Sequence, residues 1–356
     1  MKVALITGIS GQDGSYLSEI LLEDKYVVYG IIRYSSNGTT RNIDHLLNSD
    51  GTSLINLRYG DVTDLSSIIR VLEEIKLLNP EILHVYNLAG QTHVKVSFDT
   101  PLYTTQVDAI GTLNVLEAVR ATGLGKLARV YQASTSEMFG KVQEVPQKET
   151  TPFYPRSPYG VSKLYSYWIM RNYRESYGMF CAQAIIFNHE SVRRPKLFVT
   201  RKITSAVSNI MKGKQKCLTL GNLDAKRDWG YAKDYCRGMK MILEHTEPDD
   251  FVLATGEYHS VREFVELAFR YVGIELEWKG TGMEEIGVIK SVGPDKSYNK
   301  SVGDVVVKLD PKFTRPAEVE ELLGDSTKAR MVLGWKPSVS FIQLVEMMMK
   351  HDMSDD

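Results

Sequence analysis

A tyrosine and a lysine stand four positions apart, Tyr159 and Lys163, within Ser-Pro-Tyr-Gly-Val-Ser-Lys-Leu-Tyr. On a helix this spacing puts both side chains on one face. A cationic neighbour favours the phenolate form of a tyrosine and brings the phenol nearer to acting as a general base. The same pair occurs by chance in many helices as a solvated contact, so it indicates hydride chemistry only beside a dinucleotide site.

A second polar group, Ser134-Thr135-Ser136-Glu137, follows the apolar stretch Arg129–Ala133. We expect this stretch to be a buried strand whose carboxyl end faces the ligand crevice of an open α/β sheet. Thr135 is then placed to hydrogen-bond a sugar hydroxyl, and Glu137 to move a proton that the tyrosine does not reach. The two serines suit turn chemistry equally well, and the alternative for Glu137 is an exposed loop carboxylate.

Three glycines near the amino terminus, Gly8, Gly11 and Gly14, mark a candidate phosphate site. The apolar run Val3–Ile6 before them suits a strand buried on both faces, and Ser15–Glu23 after them has helical periodicity. Missing Cβ atoms let backbone N–H groups approach a pyrophosphate at the helix N-terminus, where the helix dipole favours negative charge. Three glycines alone can mean only a tight turn, but this strand and helix are the context that a dinucleotide fingerprint requires.

The second predicted strand ends at Arg33, where an NAD enzyme usually carries an acid for the ribose 2′-hydroxyl. The segment Arg33-Tyr34-Ser35-Ser36 contains no acid, and an arginine suits a 2′-phosphate. This pattern predicts NADP, and the alternative is a solvated arginine at a strand end. Asp61, which ends the third predicted strand, is placed either to meet the adenine edge or to cap the next helix, a task open also to Thr63 or Asp64.

The elements that must position these residues alternate between short apolar strands and periodic helices up to about residue 190. Repeated βα units predict an α/β, Rossmann-type fold with a doubly wound parallel sheet. The further predicted strands are Tyr26–Ile32, Leu57–Asp61, Ile82–Leu88 and Arg129–Ala133, and the further predicted helices are Leu65–Leu78 and Tyr103–Thr122.

The alternation loosens after about residue 190, although Asp250–Ala254 is another strand candidate for the same sheet. We therefore expect residues 1–190 to form the NADP-binding domain, with part of 225–260 returning to it. Residues 191–350 are expected to form mainly a smaller, mixed α/β C-terminal substrate lobe that is interleaved with the first domain.

Composition argues against several kinds of partner. Forty-three basic and 44 acidic side chains leave a formal charge of -1, so no overall field attracts nucleic acid or anionic lipid. Cys181, Cys217 and Cys236 form no cluster with metal-ligand spacing, which indicates a reducing compartment and no metal site. The sequence contains no signal-peptide core and no run near the ~18 apolar residues of a membrane span. We expect a cytoplasmic protein.

Together these motifs resemble those of the extended short-chain dehydrogenase/reductases and, within them, closely resemble those of the GDP-mannose 4,6-dehydratases. The resemblance extends over nearly the whole chain, well beyond the glycine turn. Its further segments are Asn87–Phe98, Gln132–Glu137, Ser157–Lys163, Phe187–Ser191, Val199–Ile203, Gly221–Trp229 and Arg315–Val319.

The resemblance implies three sets of site residues. The catalytic set is Thr135, Glu137, Tyr159 and Lys163. The NADP set is Gly8, Ile9, Ser10, Gly11, Gln12, Asp13, Gly14, Arg33, Tyr34, Ser35, Ser36, Asp61, Val62, Leu88, Ala89, Gly90, Gln91, Thr92, Tyr103, Tyr159, Lys163, His189 and Arg194. The sugar-nucleotide set is Thr135, Glu137, Asn188, Lys202, Arg227 and Arg315.

The implied reaction is NADP-dependent dehydration of GDP-mannose to GDP-4-keto-6-deoxy-mannose, a first step toward GDP-deoxyhexoses such as GDP-fucose or GDP-rhamnose, in a homodimer or homotetramer. The alternatives are a related NADP-dependent nucleotide-sugar reductase or epimerase, and a catalytically silent NADP-binding regulator. For Arg227 and Arg315 the alternative is an interlobe salt bridge. The sequence departs from the family pattern at Val192 and Pro195, where proline and glycine are usual, and this alters the permitted backbone around Arg194.

Overall fold

The computed structural model describes residues 1–36, 40–47, 53–294, 300–314, 317, 319 and 321–354. Its strands are β1 (Lys2–Thr7), β2 (Val27–Ile32), β3 (Ile55–Tyr59), β4 (Ile82–Asn87), β5 (Ala128–Thr135), β6 (Phe180–Ile186), β7 (Asn188–Glu190), β8 (Leu218–Leu220), β9 (Lys226–Arg227), β10 (Trp229–Tyr231), β11 (Asp250–Leu253), β12 (His259–Ser260), β13 (Ile274–Lys279), β14 (Ile286–Val292), β15 (Val305–Leu309) and β16 (Glu321–Leu322).

The helices of the described chain are α1 (Gln12–Glu23), α2 (Leu65–Leu77), α3 (Val94–Asp99), α4 (Pro101–Thr105), α5 (Gly111–Ala121), α6 (Pro158–Tyr177), α7 (Val199–Met211), α8 (Ala232–Glu244), α9 (Val261–Tyr271), α10 (Thr327–Leu333) and α11 (Phe341–Ser354). A π-helical segment, Gln106–Ile110, lies between α4 and α5, so the predicted helix Tyr103–Thr122 has an irregular turn within it. Within the described residues, no helix has both the length and the apolar character needed to cross a membrane.

Among the described residues, seven strands form one sheet in the order β11-β6-β5-β4-β1-β2-β3, and every neighbouring pair is parallel. The strand order reverses between β1 and β4, which opens a crevice at the carboxyl ends of these strands. The predicted Rossmann-type, doubly wound sheet is therefore confirmed.

Both faces of this sheet are covered, which explains why its strands read as continuous apolar runs. Leu5 and Val85 point to the core shared with α2, α5 and α6. Ile6 and Tyr86, one residue further along their strands, point to the core shared with α1 and α8. Helix α8 packs against α1, and β11 pairs with β6.

A second, four-stranded sheet has the order β13-β14-β15-β8 and mixes antiparallel with parallel pairs. Helices α7, α9 and α11 contribute to a separate apolar core against it. Two short ladders, β7 with β10 and β9 with β12 and β16, lie elsewhere in the described chain. Since β7 follows β6 after a single residue, these ladders begin next to the crevice of the large sheet.

Candidate active site

A buried polar network fixes the strand ends at the crevice. The Thr7 hydroxyl donates to Asn87 Oδ1 at 2.7 Å, and Asn87 Nδ2 donates to Gln132 Oε1 at 2.7 Å. The backbone N–H groups of Leu88 and Ala89 donate in turn to the Thr7 hydroxyl oxygen. Because every member is bonded, the network ties β1, β4 and β5 together and holds the loops that leave them.

A cleft of about 940 Å³ runs along this edge from the glycine turn toward β3. Most of the predicted NADP residues line it: Gly8, Ser10, Gly11, Gln12, Asp13, Gly14, Arg33, Tyr34, Ser35, Asp61, Val62, Leu88, Ala89, Gly90, Thr92, Tyr103 and Arg194. The cleft thus collects residues from six separate stretches of the chain.

The glycine turn itself fits a dinucleotide. Gly8 has φ +72°, and a Cβ there would lie 2.8 Å from the Ala89 nitrogen, so only glycine fits. A Cβ on Gly14 would lie 2.5 Å from the Gly8 carbonyl oxygen, which explains the close contact of α1 with the turn. Gly11 is the N-cap of α1 and has no side chain to bond the first-turn N–H groups, which suits their use by a pyrophosphate.

At the far rim, Arg33 is exposed and donates to the Tyr103 hydroxyl at 2.5 Å. Arg70, on α2, also lines the cleft and adds a second cation that the sequence analysis missed. Asp64 caps α2 by accepting from the Ser66 N–H, so Asp61 is not the helix cap. Asp61 instead accepts from the N–H and hydroxyl of Thr63 at the cleft wall.

Some predicted NADP residues do not line this cleft. The Ile9 side chain is fully buried in the core beside α1, and Ser36 is exposed. Gln91 bonds through its side chain to the Thr104 hydroxyl and the His93 carbonyl oxygen. Tyr159, Lys163 and His189 line a second cleft instead.

His189 and Asp13 form a hydrogen-bonded pair, with 2.8 Å between His189 Nε2 and Asp13 Oδ2. Burial alone would raise the pKa of Asp13, but the His189 charge and hydrogen bond hold it below its usual value. Burial alone would lower the pKa of His189, but Asp13 raises it. The pair links the first turn of α1 to β7 and is an ion pair over part of the pH range.

The second cleft, of about 750 Å³, adjoins the first. It contains Thr135, Glu137, Tyr159, Lys163, Asn188, Lys202 and Arg227. Among the described residues, five line both clefts: Asp13, Leu88, Thr92, Arg194 and Phe198. Arg315, the remaining predicted sugar-nucleotide residue, lies outside the described residues.

Strand β5 carries the catalytic candidates beyond the edge of its neighbour. The last β4 pair is Asn87 with Gln132, whereas pairing with β6 continues to Thr135. The strand is therefore open on its β4 side over its last three residues. Thr135 Oγ1 then accepts from the Glu137 N–H at 3.2 Å and starts the short 3₁₀ turn that buries Glu137, which is only 7 % exposed.

Helix α6 brings the other two candidates to the same place. The Ser157 hydroxyl caps the helix by accepting from the Gly160 N–H, and Pro158 occupies its first turn. Lys163 is 3 % exposed and donates from Nζ to the Ala133 carbonyl oxygen at 3.1 Å, while its Nζ lies 5.9 Å from the Tyr159 ring centroid. All four predicted catalytic residues meet at one wall.

Burial dominates the electrostatics of this wall. It raises the pKa of Tyr159, the Asp108 charge adds to the increase, and a hydrogen bond with Thr135 opposes it. Burial also lowers the pKa of Lys163, against the opposing effect of Asp108. Tyr159 therefore needs additional positive charge to become a base near neutral pH, and a bound oxidised nicotinamide would bring one.

Cations surround the outer part of the second cleft. Lys202 Nζ lies 3.2 Å from the Phe313 ring centroid. Burial, together with the charge of the neighbouring Lys312, lowers the pKa of Lys202 to about 8.

Two further residues that line this cleft, Lys95 and Phe313, were not predicted from the sequence, although Lys95 lies inside the segment Asn87–Phe98 that carries the family resemblance. Trp229 is 2 % exposed and still contributes to the lining.

Arg194 stands on the wall between the clefts. Its Nε lies 3.3 Å from Glu190 Oε2, within ion-pair distance but outside hydrogen-bond geometry. Its guanidinium lies 3.8 Å from the Phe198 ring centroid, a cation–π contact. The unusual residues Val192 and Pro195 therefore do not remove Arg194 from the predicted site.

Comparison with known proteins gives the same picture over the whole chain. Residues 5–348 match the family model described as GDP-mannose 4,6 dehydratase. The chain is 55% identical to the GDP-mannose 4,6-dehydratase of Vibrio cholerae serotype O1 (99% of this chain, 94% of that protein) and 51% identical to the human GDP-mannose 4,6 dehydratase (99% and 91%).

Among solved structures, the Thermus thermophilus UDP-glucose 4-epimerase in complex with NAD has a TM-score of 0.78 at 24% identity, covering 99% of this chain and 100% of that one. At that identity the match supports the fold alone. The match to the family model and the identities to curated relatives establish the family of this chain. They agree with the two clefts described above. The chain belongs to the GDP-mannose 4,6-dehydratase family.

Proposed function

We propose that this chain is an NADP-dependent GDP-mannose 4,6-dehydratase, a hydro-lyase that converts GDP-mannose to GDP-4-keto-6-deoxy-mannose. The observation that carries the proposal is the burial of Glu137 at the same wall as Thr135, Tyr159 and Lys163. A dehydration of this kind needs a second proton-transfer group beside the tyrosine, and Glu137 supplies one. Family membership and the curated relatives support the same activity.

The cofactor's chemistry is limited to hydride exchange: NADP, when bound, accepts hydride from sugar carbon 4 and returns it to carbon 6. Tyr159 takes the proton of the 4-hydroxyl, and Thr135, hydrogen-bonded to the phenol, orients that hydroxyl. Lys163, held by the Ala133 carbonyl, places its positive charge beside the phenol. These three residues form the 4-keto sugar.

The ketone makes the proton on carbon 5 acidic. Glu137 removes that proton and then protonates the departing 6-hydroxyl, so one carboxyl group serves both transfers. It lies in the 3₁₀ turn directly after Thr135 and lines the same cleft as Tyr159. Burial excludes bulk water from the wall and so protects the unsaturated intermediate from side reactions.

Binding of the sugar nucleotide is assigned to the cationic outer part of the second cleft. Lys202 and Arg227 offer positive charge to the diphosphate, and the half-buried Asn188 has a buried side-chain oxygen, Oδ1, with no hydrogen-bond partner among the described residues. Arg194 reaches both clefts and is suited to phosphate or ribose of the cofactor. NADP rather than NAD is supported by Arg33, with Arg70 adding charge at the same rim.

A related reductase or epimerase is the second candidate, since it would use the same glycine turn, Tyr159 and Lys163. Such an enzyme has no requirement for Glu137. A homodimer or homotetramer, and a cytoplasmic location, stay predictions from the sequence.

The test is incubation of the purified protein with GDP-mannose and NADP in heavy water, with product mass and 340 nm absorbance followed together. We expect loss of one water, one solvent deuterium at carbon 5 and no net change in NADPH. Conservation of mass would indicate an epimerase, and steady consumption of added NADPH by a keto-sugar substrate would indicate a reductase. Unchanged GDP-mannose under all conditions would contradict the proposal.

A further inference from the structure

Asp108 is a buried acid beside the catalytic wall that has no part in the mechanism above. It lies in the π-helical segment between α4 and α5 and is 1 % exposed. Segments of this kind are rare and often occur at functional sites. A buried carboxylate is costly unless other groups compensate it, so its partners need an account.

Its two oxygens have different surroundings. Oδ1 accepts from the Gln91 backbone N–H at 2.9 Å, whereas Oδ2 is buried with no hydrogen-bond partner among the described residues. A Cβ built on Gly90 would lie 2.8 Å from Asp108 Oδ1 and 3.6 Å from Lys163 Nζ. The carboxylate and the lysine therefore approach the same glycine, and no side chain there separates them.

The segment is held to the catalytic helix by its backbone as well. The Asp108 carbonyl oxygen accepts from the hydroxyls of Ser166, on α6, at 2.5 Å and of Thr112, on α5, at 3.0 Å. The titratable groups that interact with the carboxylate itself are Lys163 and Tyr159, both on α6. The loop after β4 contributes the neutral Gln91 backbone N–H. Lys163 is the cation among these facing groups.

We infer that Asp108 is a positioning residue: its carboxylate is the counter-charge that keeps the buried Lys163 protonated and holds the Gly90–Gln91 turn against it, and through Lys163 it sets the proton affinity of Tyr159. The directions of the pKa shifts agree with this role. Burial raises the pKa of Asp108 to about 6 despite Lys163, so the group is mostly ionised at neutral pH, and Asp108 raises the pKa values of both Lys163 and Tyr159. This inference rests on the proposed function for the role of Tyr159.

The test uses two neutral replacements, Asp108→Asn and Asp108→Ser, each able to accept from the Gln91 N–H. Without the negative charge, Tyr159 and Lys163 both lose protons more easily. We expect the rising and the falling limb of the pH profile of kcat/KM for GDP-mannose to move to lower pH by about one unit each. Ser166→Ala is the matched control, because it releases the same segment without a change of charge, and its limbs should not move.

A second measurement needs no sugar nucleotide. NADP+ affinity, measured by calorimetry from pH 6 to pH 10, should fall at high pH as Lys163 loses its proton, and this fall should begin about one unit lower in the Asp108 variants. Unmoved limbs and unmoved NADP+ affinity in both variants would overturn the inference, as would equal shifts in Ser166→Ala. Failure of the native protein to act on GDP-mannose would instead reject the proposed function, and the NADP+ titration would still decide the role of Asp108.

Discussion

The two clefts that meet at Arg194 are built on different physical principles. The first cleft depends on missing side chains: Gly8 and Gly14 allow backbone contacts that a single Cβ would prevent. The second cleft depends on the buried titratable side chains of Glu137, Tyr159 and Lys163. Substitutions in the first cleft should therefore act through shape and those in the second through charge, and the two kinds of effect can be separated experimentally.

The largest expected effect comes from a substitution that removes the charge of a side chain but keeps its volume. Glu137→Gln keeps the volume of the side chain but cannot take a proton from carbon 5. We expect turnover of GDP-mannose to fall by ~10²–10⁴, with NADP binding and thermal stability unchanged. The matched control is Glu149→Gln, a half-buried glutamate that accepts from the Val252 N–H away from both clefts, whose turnover should stay native. Near-full activity of Glu137→Gln would contradict the proton transfers assigned to Glu137 and with them the proposed dehydration.

The next largest effect comes from a substitution that adds volume without changing any charge. Gly8→Ala adds one methyl group 2.8 Å from the Ala89 nitrogen at φ +72°. We expect NADP affinity to fall about tenfold or more and stability by ~2–3 kcal/mol, measured by calorimetry and denaturant unfolding. Gly123→Ala is the control, since its φ is +74° and no atom lies within 4 Å of the new Cβ. It should lose only ~1 kcal/mol and bind NADP normally; equal losses in both variants would contradict the steric argument.

The Asp13–His189 pair lies where the two clefts join, and its effect should depend on pH. Asp13 raises the pKa of His189, so His189 stabilises the fold at pH values below about 6.5, and this stabilisation is lost as the pH rises through the pKa of His189 in the folded protein. His189 lowers the pKa of Asp13, so Asp13 stabilises the fold at pH values above about 4, and this stabilisation is lost as the pH falls through the pKa of Asp13 in the folded protein. In His189→Gln we expect a loss of ~1–2 kcal/mol that is greatest between about pH 4 and pH 6.5.

Denaturant unfolding across that range, without cofactor, is the measurement. His45→Gln is the control, because His45 contacts Glu19 at 2.8 Å on an exposed surface and should change stability little. A loss in His189→Gln that is the same at all pH values would mean that packing, including the stacking of His189 on Tyr235, outweighs the charge pair.

The smallest expected effect concerns the helix that carries Tyr159 and Lys163. Ser157→Ala removes the cap of α6, and Ser260→Ala removes the capping box of α9, a helix that carries neither Tyr159 nor Lys163. Each should lower stability by ~1 kcal/mol. Only Ser157→Ala should also lower kcat, by several-fold, because Tyr159, the proposed base, lies in the first turn of α6. Identical kinetics in both variants would show that the wall is positioned by packing and not by the cap.

Much of the fold follows from the sequence because its signals are local. The glycine turn between an apolar run and a periodic helix predicted β1 and α1, and most predicted strand limits lie within about two residues of the observed ones. The third strand ends at Tyr59 and not at Asp61, since the Asp61 carboxylate bonds to Thr63 in the loop that follows. Boundaries set by side-chain bonding of this kind leave no periodic signal.

The site was less accessible to sequence reasoning. Motifs brought Thr135, Glu137, Tyr159 and Lys163 together correctly in space, but their catalytic roles stay predictions. Asp108 was missed because it falls inside a helical pattern, and a π turn that points one polar residue inward has no recognised spacing. Arg70 was missed for a similar reason: its place on the cleft rim depends on the packing of α2 and not on any neighbouring residue type.

The overhang of β5 beyond β4 makes the position of Thr135 and Glu137 sensitive to the number of residues in one strand. Along a strand, successive side chains alternate between the two faces, so deletion or insertion of one residue before Thr135 would turn its hydroxyl to the opposite face of the sheet and carry Glu137 with it. Point substitutions in β5 leave this parity unchanged. The eight-residue length of β5 is therefore part of the geometry of this wall.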